Sequence, residues 1–172
     1  MKKAPGRDTR PAYSRERRTW YGHGTLTRAE KSGFGRVLHD ASYIFGDISV
    51  LSLPVLLIIM SVDPPDDGLL TLGALVAWMT MWAVGTTIRG GWISPLATDT
   101  LGWVSLRPAL LGLRLVYYNL VIAVGAVGGL LVERTLETPY GASAMVFAFV
   151  GATVATLSFP RLAESLARWL DS

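Results

Sequence analysis

Four stretches of the sequence, each about twenty residues long and almost free of charge, constrain this chain most strongly. They cover residues 43–62, 68–88, 108–132 and 139–159. An α-helix needs roughly 20 apolar residues to cross about 30 Å of hydrocarbon at ~1.5 Å per residue. Each stretch reaches that length, so the sequence predicts an all-α, four-helix transmembrane bundle.

The composition supports a membrane protein and excludes several kinds of chemistry. Hydrophobic residues make up 51% of the chain and charged residues 17%, a balance typical of membrane proteins. The chain has no cysteine, and both histidines, His23 and His39, lie outside the predicted spans. No metalloprotease or phosphate-loop motif occurs, and the serines in the spans have no neighbouring base. We therefore expect no metal, no cofactor, no catalytic residue and no enzyme activity.

The basic residues predict the orientation of the helices. Ten Lys or Arg residues precede the first span. The loop after the second span adds Arg89 and Arg107, the end of the chain adds Arg161 and Arg168, and only Arg134 falls on the opposite side. Short loops rich in Lys and Arg stay in the cytoplasm. We expect a protein of the cell membrane with both termini cytoplasmic, in which the net charge of +3 marks topology and not binding to nucleic acid.

Polar segments flank the predicted membrane domain, which spans residues 41–160. Residues 1–40 form a basic tail that lacks apolar periodicity through about residue 24, as disordered segments do. The tail serves either as a topology anchor or as a contact for a partner or acidic lipid. Beyond Pro160, Leu162, Leu166 and Trp169 fall on one side, so residues 161–172 are predicted to form a short amphipathic helix along the interface.

Two charged residues lie inside the spans. Asp47 is about 6 Å into the first helix and Arg114 about 9 Å into the third, at ~1.5 Å per residue. Opposite charges at matching depth predict an ion pair between the two helices. Two interpretations remain open: a structural role, as a clamp or as two side chains that reach the interface separately, and the polar floor of a cavity that faces the cytoplasm.

A candidate polar site is built around this pair. It contains Asp47, Arg114, Tyr118, Asn119, Arg89 and Trp92. Tyr118 follows Arg114 by one helical turn, whereas Asn119 lies about 140° around the helix and is expected to bond to a different neighbour. Arg89 and Trp92 belong to a loop rich in Gly, Pro and Trp, which we expect to be structured and to act as the lid of any site.

Two further features in the spans have an ordinary and a functional interpretation. Pro54 removes an amide donor from the middle of the first helix, which produces either a passive bend or a bend that opens a cavity. Trp78 and Trp82 lie one turn apart and deeper than an interfacial belt. They either pack in the bundle or against lipid, or stack on a bound aromatic or polyene ligand.

Small residues follow one side of the fourth span. This packing seam consists of Gly141, Ala144, Ala148, Gly151, Ala155 and Ser158. In the third span, Gly125 and Gly129 form a GxxxG pattern. Small residues let membrane helices approach closely, so we expect this seam to be buried, either within the chain or between two copies of it.

Three short motifs carry a resemblance to known proteins. They are the Gly46-Asp47 pair, a Gly-Trp segment after the second span, and the run from Glu137 to Gly141 that opens the fourth. Over residues 41–160 the chain resembles a family of small four-helix membrane proteins of unknown function found in haloarchaea and actinobacteria. It departs from that family in the basic tail and at Arg89. The resemblance implies four helices and no assigned activity.

Two functions are compatible with the sequence. The first is a structural or accessory subunit in the lipid bilayer that packs with itself or with a partner membrane protein. The second is a small carrier or ligand-binding membrane protein, for a ligand that the sequence does not identify. The two differ in whether Asp47 and Arg114 neutralise each other or line a solvated pocket.

Overall fold

The computed structural model describes residues 33–63, 68–98, 108–136 and 138–170. Within these ranges the chain forms four long α-helices, and a 3₁₀ turn over Pro139–Gly141 precedes the last of them. The helices are α1 (Gly33–Val62), α2 (Leu69–Gly90), α3 (Pro108–Leu136) and α4 (Ala142–Leu170). All four are long and apolar enough to cross a membrane. The predicted all-α, four-helix architecture is confirmed. The predicted disorder of the tail concerns residues 1–32, which lie outside the described residues.

The helices alternate in direction, and α2 and α3 form the centre of the bundle. Both contact all the other helices, while α1 and α4 pack on opposite sides of them. We call the end that holds the start of α1 and the end of α2 the basic end, because Arg89, Arg161 and Arg168 lie there. The other end holds Val62 and the 3₁₀ turn.

Small residues allow the central helices to touch backbone to backbone. A Cβ atom added to Gly73 of α2 would lie 2.9 Å from the carbonyl oxygen of Gly125 in α3. One added to Gly129 would lie 3.1 Å from the carbonyl oxygen of Ala144 in α4. The GxxxG glycines therefore face two different helices of the same chain, and both are needed for its internal packing.

The seam of α4 is only partly where the sequence placed it. Gly141, Ala144 and Ala148 are buried, as predicted, and Ala155 and Ser158 are half-buried. Gly151 is exposed, with open space where a side chain would be, so its predicted burial is wrong. The buried positions instead continue through Ala152 and Thr156 in steps of four. Steps that alternate between three and four run nearly parallel to the helix axis, whereas a row of residues four apart is inclined to it, so the two lines separate after Ala148.

Two helix ends also differ from the prediction, each by about ten residues. Helix α1 begins at Gly33 and not at residue 43, and the additional turns bring Asp40 into a buried ion pair. Helix α4 continues through Pro160 to Leu170. Residues 161–170 therefore extend α4 instead of forming a separate helix.

Candidate functional site

The polar centre of the bundle is an ion pair between Asp47 of α1 and Arg114 of α3. Nη1 of Arg114 donates a hydrogen bond to Oδ1 of Asp47. The Tyr118 hydroxyl donates to Oδ2 of the same carboxylate at 3.0 Å. The structure therefore brings together three of the six side chains that the sequence grouped, with the pairing expected from their depths.

This ion pair is enclosed by the surrounding helices. Arg114 is 1% exposed, and the side chain of Asp47 is 12% exposed. Phe159 of α4 packs beside Tyr118, with its ring centre 5.7 Å from that of Tyr118. An isolated charge at the centre of a span costs about 2.5–3.5 kcal/mol on insertion scales, so mutual neutralisation is the arrangement that a membrane favours. The group is suited to holding α1 against α3.

A second buried ion pair, which sequence reasoning missed, joins α1 to α2. Nε of Arg89 donates to Oδ1 of Asp40 at 3.2 Å, and both side chains are less than a tenth exposed. The guanidinium carbon of Arg89 also lies 4.1 Å from the centre of the Tyr43 ring, a cation–π contact. The sequence contained a signal for Asp40, because this residue precedes Asp47 by two helical turns and shares its face of α1.

The placement of Arg89 with Asp47 in one site is therefore corrected. Arg89 occupies the last turn of α2, whereas Arg114 belongs to α3. Each cation meets a different carboxylate of α1, and the two carboxylates are about 10 Å apart along the helix at ~1.5 Å per residue. The basic half of α1 is fastened separately to each of the two central helices.

Asn119 also reaches α1, so the expectation of a different neighbour is wrong. Its Oδ1 accepts the backbone N–H of Val55 at 2.9 Å, and its Nδ2 donates to the carbonyl of Leu51 at 2.7 Å. These are the two backbone groups that would bond to each other in an undistorted helix. An angle measured around α3 alone did not anticipate this contact, because it does not say which part of the α1 backbone lies beside Asn119.

Comparison with known sequences gives one family. A domain of unknown function, DUF8215, matches residues 31–166. This range holds the four residues of the two buried ion pairs and Asn119. The chain belongs to the DUF8215 family. The unknown function agrees with the resemblance stated above, and the haloarchaeal or actinobacterial type stays a prediction. No curated protein and no solved structure matches the chain.

In this DUF8215 chain, Trp92 packs on the last turn of α2. Gly91, with φ 74°, ends α2, and the Trp92 N–H bonds back to Thr87 at 3.0 Å, as in a Schellman motif. The indole packs over Gly90 and is half exposed. The role of Trp92 as a lid over the ion pair is therefore not supported by its position.

The rest of the described loop is attached to α4. The Leu96 N–H donates to the carbonyl of Leu157 at 2.9 Å, and the Thr98 hydroxyl donates to Glu164 at 2.7 Å. Residues 91–98 are structured, as expected. They connect α2 to α4 at the basic end instead of closing over α1.

The two tryptophans of α2 pack against α1. Phe45 lies edge-on to both rings, with centroid distances of 5.3 Å to Trp78 and 5.9 Å to Trp82. The Trp82 indole also donates to the carbonyl of Ala41 at 2.9 Å. The space in which a stacked ligand would lie is thus occupied by Phe45, which favours the packing interpretation.

Glu133 is a further buried acid that sequence reasoning did not single out. It accepts hydrogen bonds from the hydroxyls of Ser143 at 2.5 Å and Thr138 at 2.8 Å, and from the Ala144 N–H at 3.3 Å. The Ser143 N–H in turn bonds to the Thr138 hydroxyl at 2.9 Å. Glu133 thus satisfies the donors at the start of α4. Its signal in the sequence was a charge at the end of α3 followed by Thr and Ser.

An apolar groove lies apart from these polar groups, between α3 and α4. Its volume is about 240 Å³, and Tyr117, Gly125, Phe147 and Gly151 are among its lining residues. The Tyr117 hydroxyl bonds to the carbonyl of Ala155 at 2.8 Å, which leaves the lining largely without free polar groups. Within the described residues, no three His, Asp or Glu side chains gather as metal ligands would.

Proposed function

We propose that this chain is an integral membrane protein with a structural or accessory role, which packs with itself or with a partner membrane protein. The observation that carries the proposal is the closed Asp47–Arg114 pair, whose members neutralise each other inside the bundle. A carrier needs a polar group that a ligand or water can reach. A clamp needs only that the two charges meet.

The apolar groove supports association with another helix. Gly151 lies open at its surface, and Val150 and Val154 beside it are exposed. In lipid, helices associate through close packing of small residues, because burial from lipid gives little drive. A side chain from a neighbouring helix fits a groove that a glycine leaves open. Both a second copy and a different membrane protein satisfy this requirement.

The proposal includes an orientation in the cell membrane. The basic end carries Arg89, Arg161 and Arg168 on the described residues. Of the ten basic residues among the first 36, nine precede α1 and Arg36 lies in its first turns. With the positive-inside rule, this end lies in the cytoplasm together with both termini. The two ion pairs of α1 then occupy the cytoplasmic half of the bundle.

The deciding experiment measures the composition of the protein in native lipid. The tagged chain is extracted with its surrounding lipid in polymer nanodiscs, cross-linked, and analysed by mass photometry and mass spectrometry. We expect a fixed stoichiometry, either of several copies or of one copy with a constant partner. Gly151→Leu should lose that stoichiometry, whereas Gly112→Leu, at another open position, should keep it.

The same sample tests the carrier as the second candidate, which is favoured by the alignment of Asp40 and Asp47 on one face of α1. The double variant Asp47→Leu with Arg114→Leu replaces the clamp by apolar side chains, so a structural subunit should assemble unchanged. A solitary monomer that carries a water-soluble small molecule, lost in this double variant, would replace the structural proposal with the carrier.

A further inference from the structure

Pro54 interrupts the hydrogen bonding of α1 near its middle. Proline has no N–H, so the carbonyl of Val50 loses its helical donor, and the ring pushes the next turn away from the preceding one. The Val55 N–H and the carbonyl of Leu51 are the next pair along the helix, directly beside this missing bond. Unsatisfied backbone groups are unfavourable in hydrocarbon, and a bent membrane helix persists when neighbouring side chains satisfy them.

The side-chain amide of Asn119 bonds to the backbone of α1 on both sides of Pro54. It offers an acceptor to Val55 and a donor to Leu51, at 2.9 and 2.7 Å. A second bond from Nδ2 to the carbonyl of Leu115, one turn earlier in α3, fixes the side chain at 2.6 Å. The amide therefore links the two backbone groups beside Pro54 through a side chain of α3.

The two segments of α1 that meet at Pro54 are anchored unequally. Before the proline, α1 is held by the ion pairs of Asp40 and Asp47 and by the Trp82 indole on Ala41. Beyond it, three of the large apolar side chains point away from the bundle. These are Leu57, Ile58 and Met60, each 59–69% exposed.

The segment beyond Pro54 is held mainly at its ends. At its start lies the Asn119 bridge, and at its finish Oδ2 of Asp63 accepts the Thr71 N–H at 2.9 Å. Between them Ile59 is buried, and Val55 and Leu56 are partly buried against the core. Segments with few buried contacts open at lower free energy than the well-packed remainder of a protein.

We propose that α1 is a hinged helix, in which Pro54 is the hinge and Asn119 the latch. With the latch closed, residues 55–62 lie against α3. When the amide is released, this segment swings away from α3, while the segment before Pro54 stays clamped by its two ion pairs. The motion opens one end of the bundle and leaves the basic end unchanged.

Paired spin labels test this proposal, and the absence of native cysteine makes labelling specific. One pair, Met60→Cys with Leu131→Cys, reports the moving segment. The other, Leu38→Cys with Val116→Cys, reports the clamped one. All four positions are exposed. In nanodiscs, Asn119→Leu should add a longer distance to the first pair and leave the second unchanged.

A rescue variant separates a latch from general support of the fold. With Pro54→Ala added, the Val55 N–H can bond to Leu51 directly, so the longer distance should disappear even without Asn119. Amide exchange of residues 55–62 should rise by roughly three- to tenfold in Asn119→Leu, the range that corresponds to one or two hydrogen bonds in a membrane. Exchange before Pro54 should not change.

Three results would overturn the hinge. They are an unchanged first pair in Asn119→Leu, equal broadening of both pairs, and a longer distance that persists after Pro54→Ala. If Asn119→Leu does not fold, the hinge is tested by measuring both label pairs in the chain that keeps native Pro54 and Asn119. The distribution of distances between the two labels should be broader for the first pair than for the second, and Pro54→Ala should narrow it. Distance distributions of equal width for the two pairs would exclude the hinge.

Discussion

Leu51 of α1 and Leu157 of α4 hold equivalent positions, each three residues before the proline of its helix, and both carbonyls accept a hydrogen bond from another segment. Asn119 donates to Leu51 at 2.7 Å, and the backbone of Leu96 donates to Leu157 at 2.9 Å. A proline weakens the helical bond at that carbonyl. The two outer helices are thus attached to the rest of the bundle beside their prolines.

The orientation of the bundle is testable with reporter fusions. Fusions after Asp67 and Glu137 should report the outside, and fusions at Gly91 and Ser172 the inside, because positive charge is retained in the cytoplasm. Alkaline phosphatase and green fluorescent protein activities give the two readouts. A single fusion on the wrong side would change the number or direction of the spans.

Separating Asp47 from Arg114 should destabilise the protein. Arg114→Met or Asp47→Leu leaves one buried charge without its partner, which costs about 3–5 kcal/mol. The double variant should lose much less than the two single losses added together. The measurement is a double-mutant cycle on unfolding in detergent. Arg168→Met, in an exposed ion pair, is the control and should change stability by less than ~1 kcal/mol.

A coupling energy of zero in this cycle would mean that the two charges act independently. It would remove the clamp between α1 and α3 and, with it, the main argument against a carrier.

A larger side chain should lower the stability of the protein at Ala148 and leave it nearly unchanged at Gly151. Ala148 is fully buried, so Ala148→Leu overpacks the contact with the central helices and should cost about 1–3 kcal/mol. Gly151 has open space where its side chain would be, so Gly151→Leu should leave the stability of the single chain nearly unchanged. Thermal unfolding of the monomer in detergent measures the change in stability of each variant. Equal losses of stability at both positions would indicate that Gly151 is buried, as the sequence predicted.

Glu133 should be required as a carboxylate. Three donors converge on it, and Glu133→Gln replaces an acceptor oxygen with an N–H₂ group that faces them. Leaving a buried donor unsatisfied costs about 1–3 kcal/mol. Arg134→Gln, at the next and exposed position, should have little effect. Unfolding in detergent measures both, and a Glu133→Gln variant as stable as Arg134→Gln would show that the start of α4 does not depend on this acid.

The features predicted correctly depend on one residue or one segment at a time. Apolar length determined the four helices, since transfer of each segment into lipid is favourable by itself. The same applies to Asp47 and Arg114, whose cost in lipid and depth along the helix follow from position alone. Their pairing was predictable because each was the only charge of its sign at that depth within the predicted spans.

The remaining features depend on which faces of the helices meet, and only the tertiary structure decided them. Arg89 pairs with Asp40 because α2 ends beside the start of α1, and Gly151 lies outside the contact because α4 crosses its neighbours along steps of four residues. Asn119 bonds to α1 because the backbone beside Pro54, at Val55 and Leu51, lies against α3. The sequence determines what each segment needs from a membrane, whereas crossing angles and bends, set by all the packed side chains together, determine which neighbour supplies it.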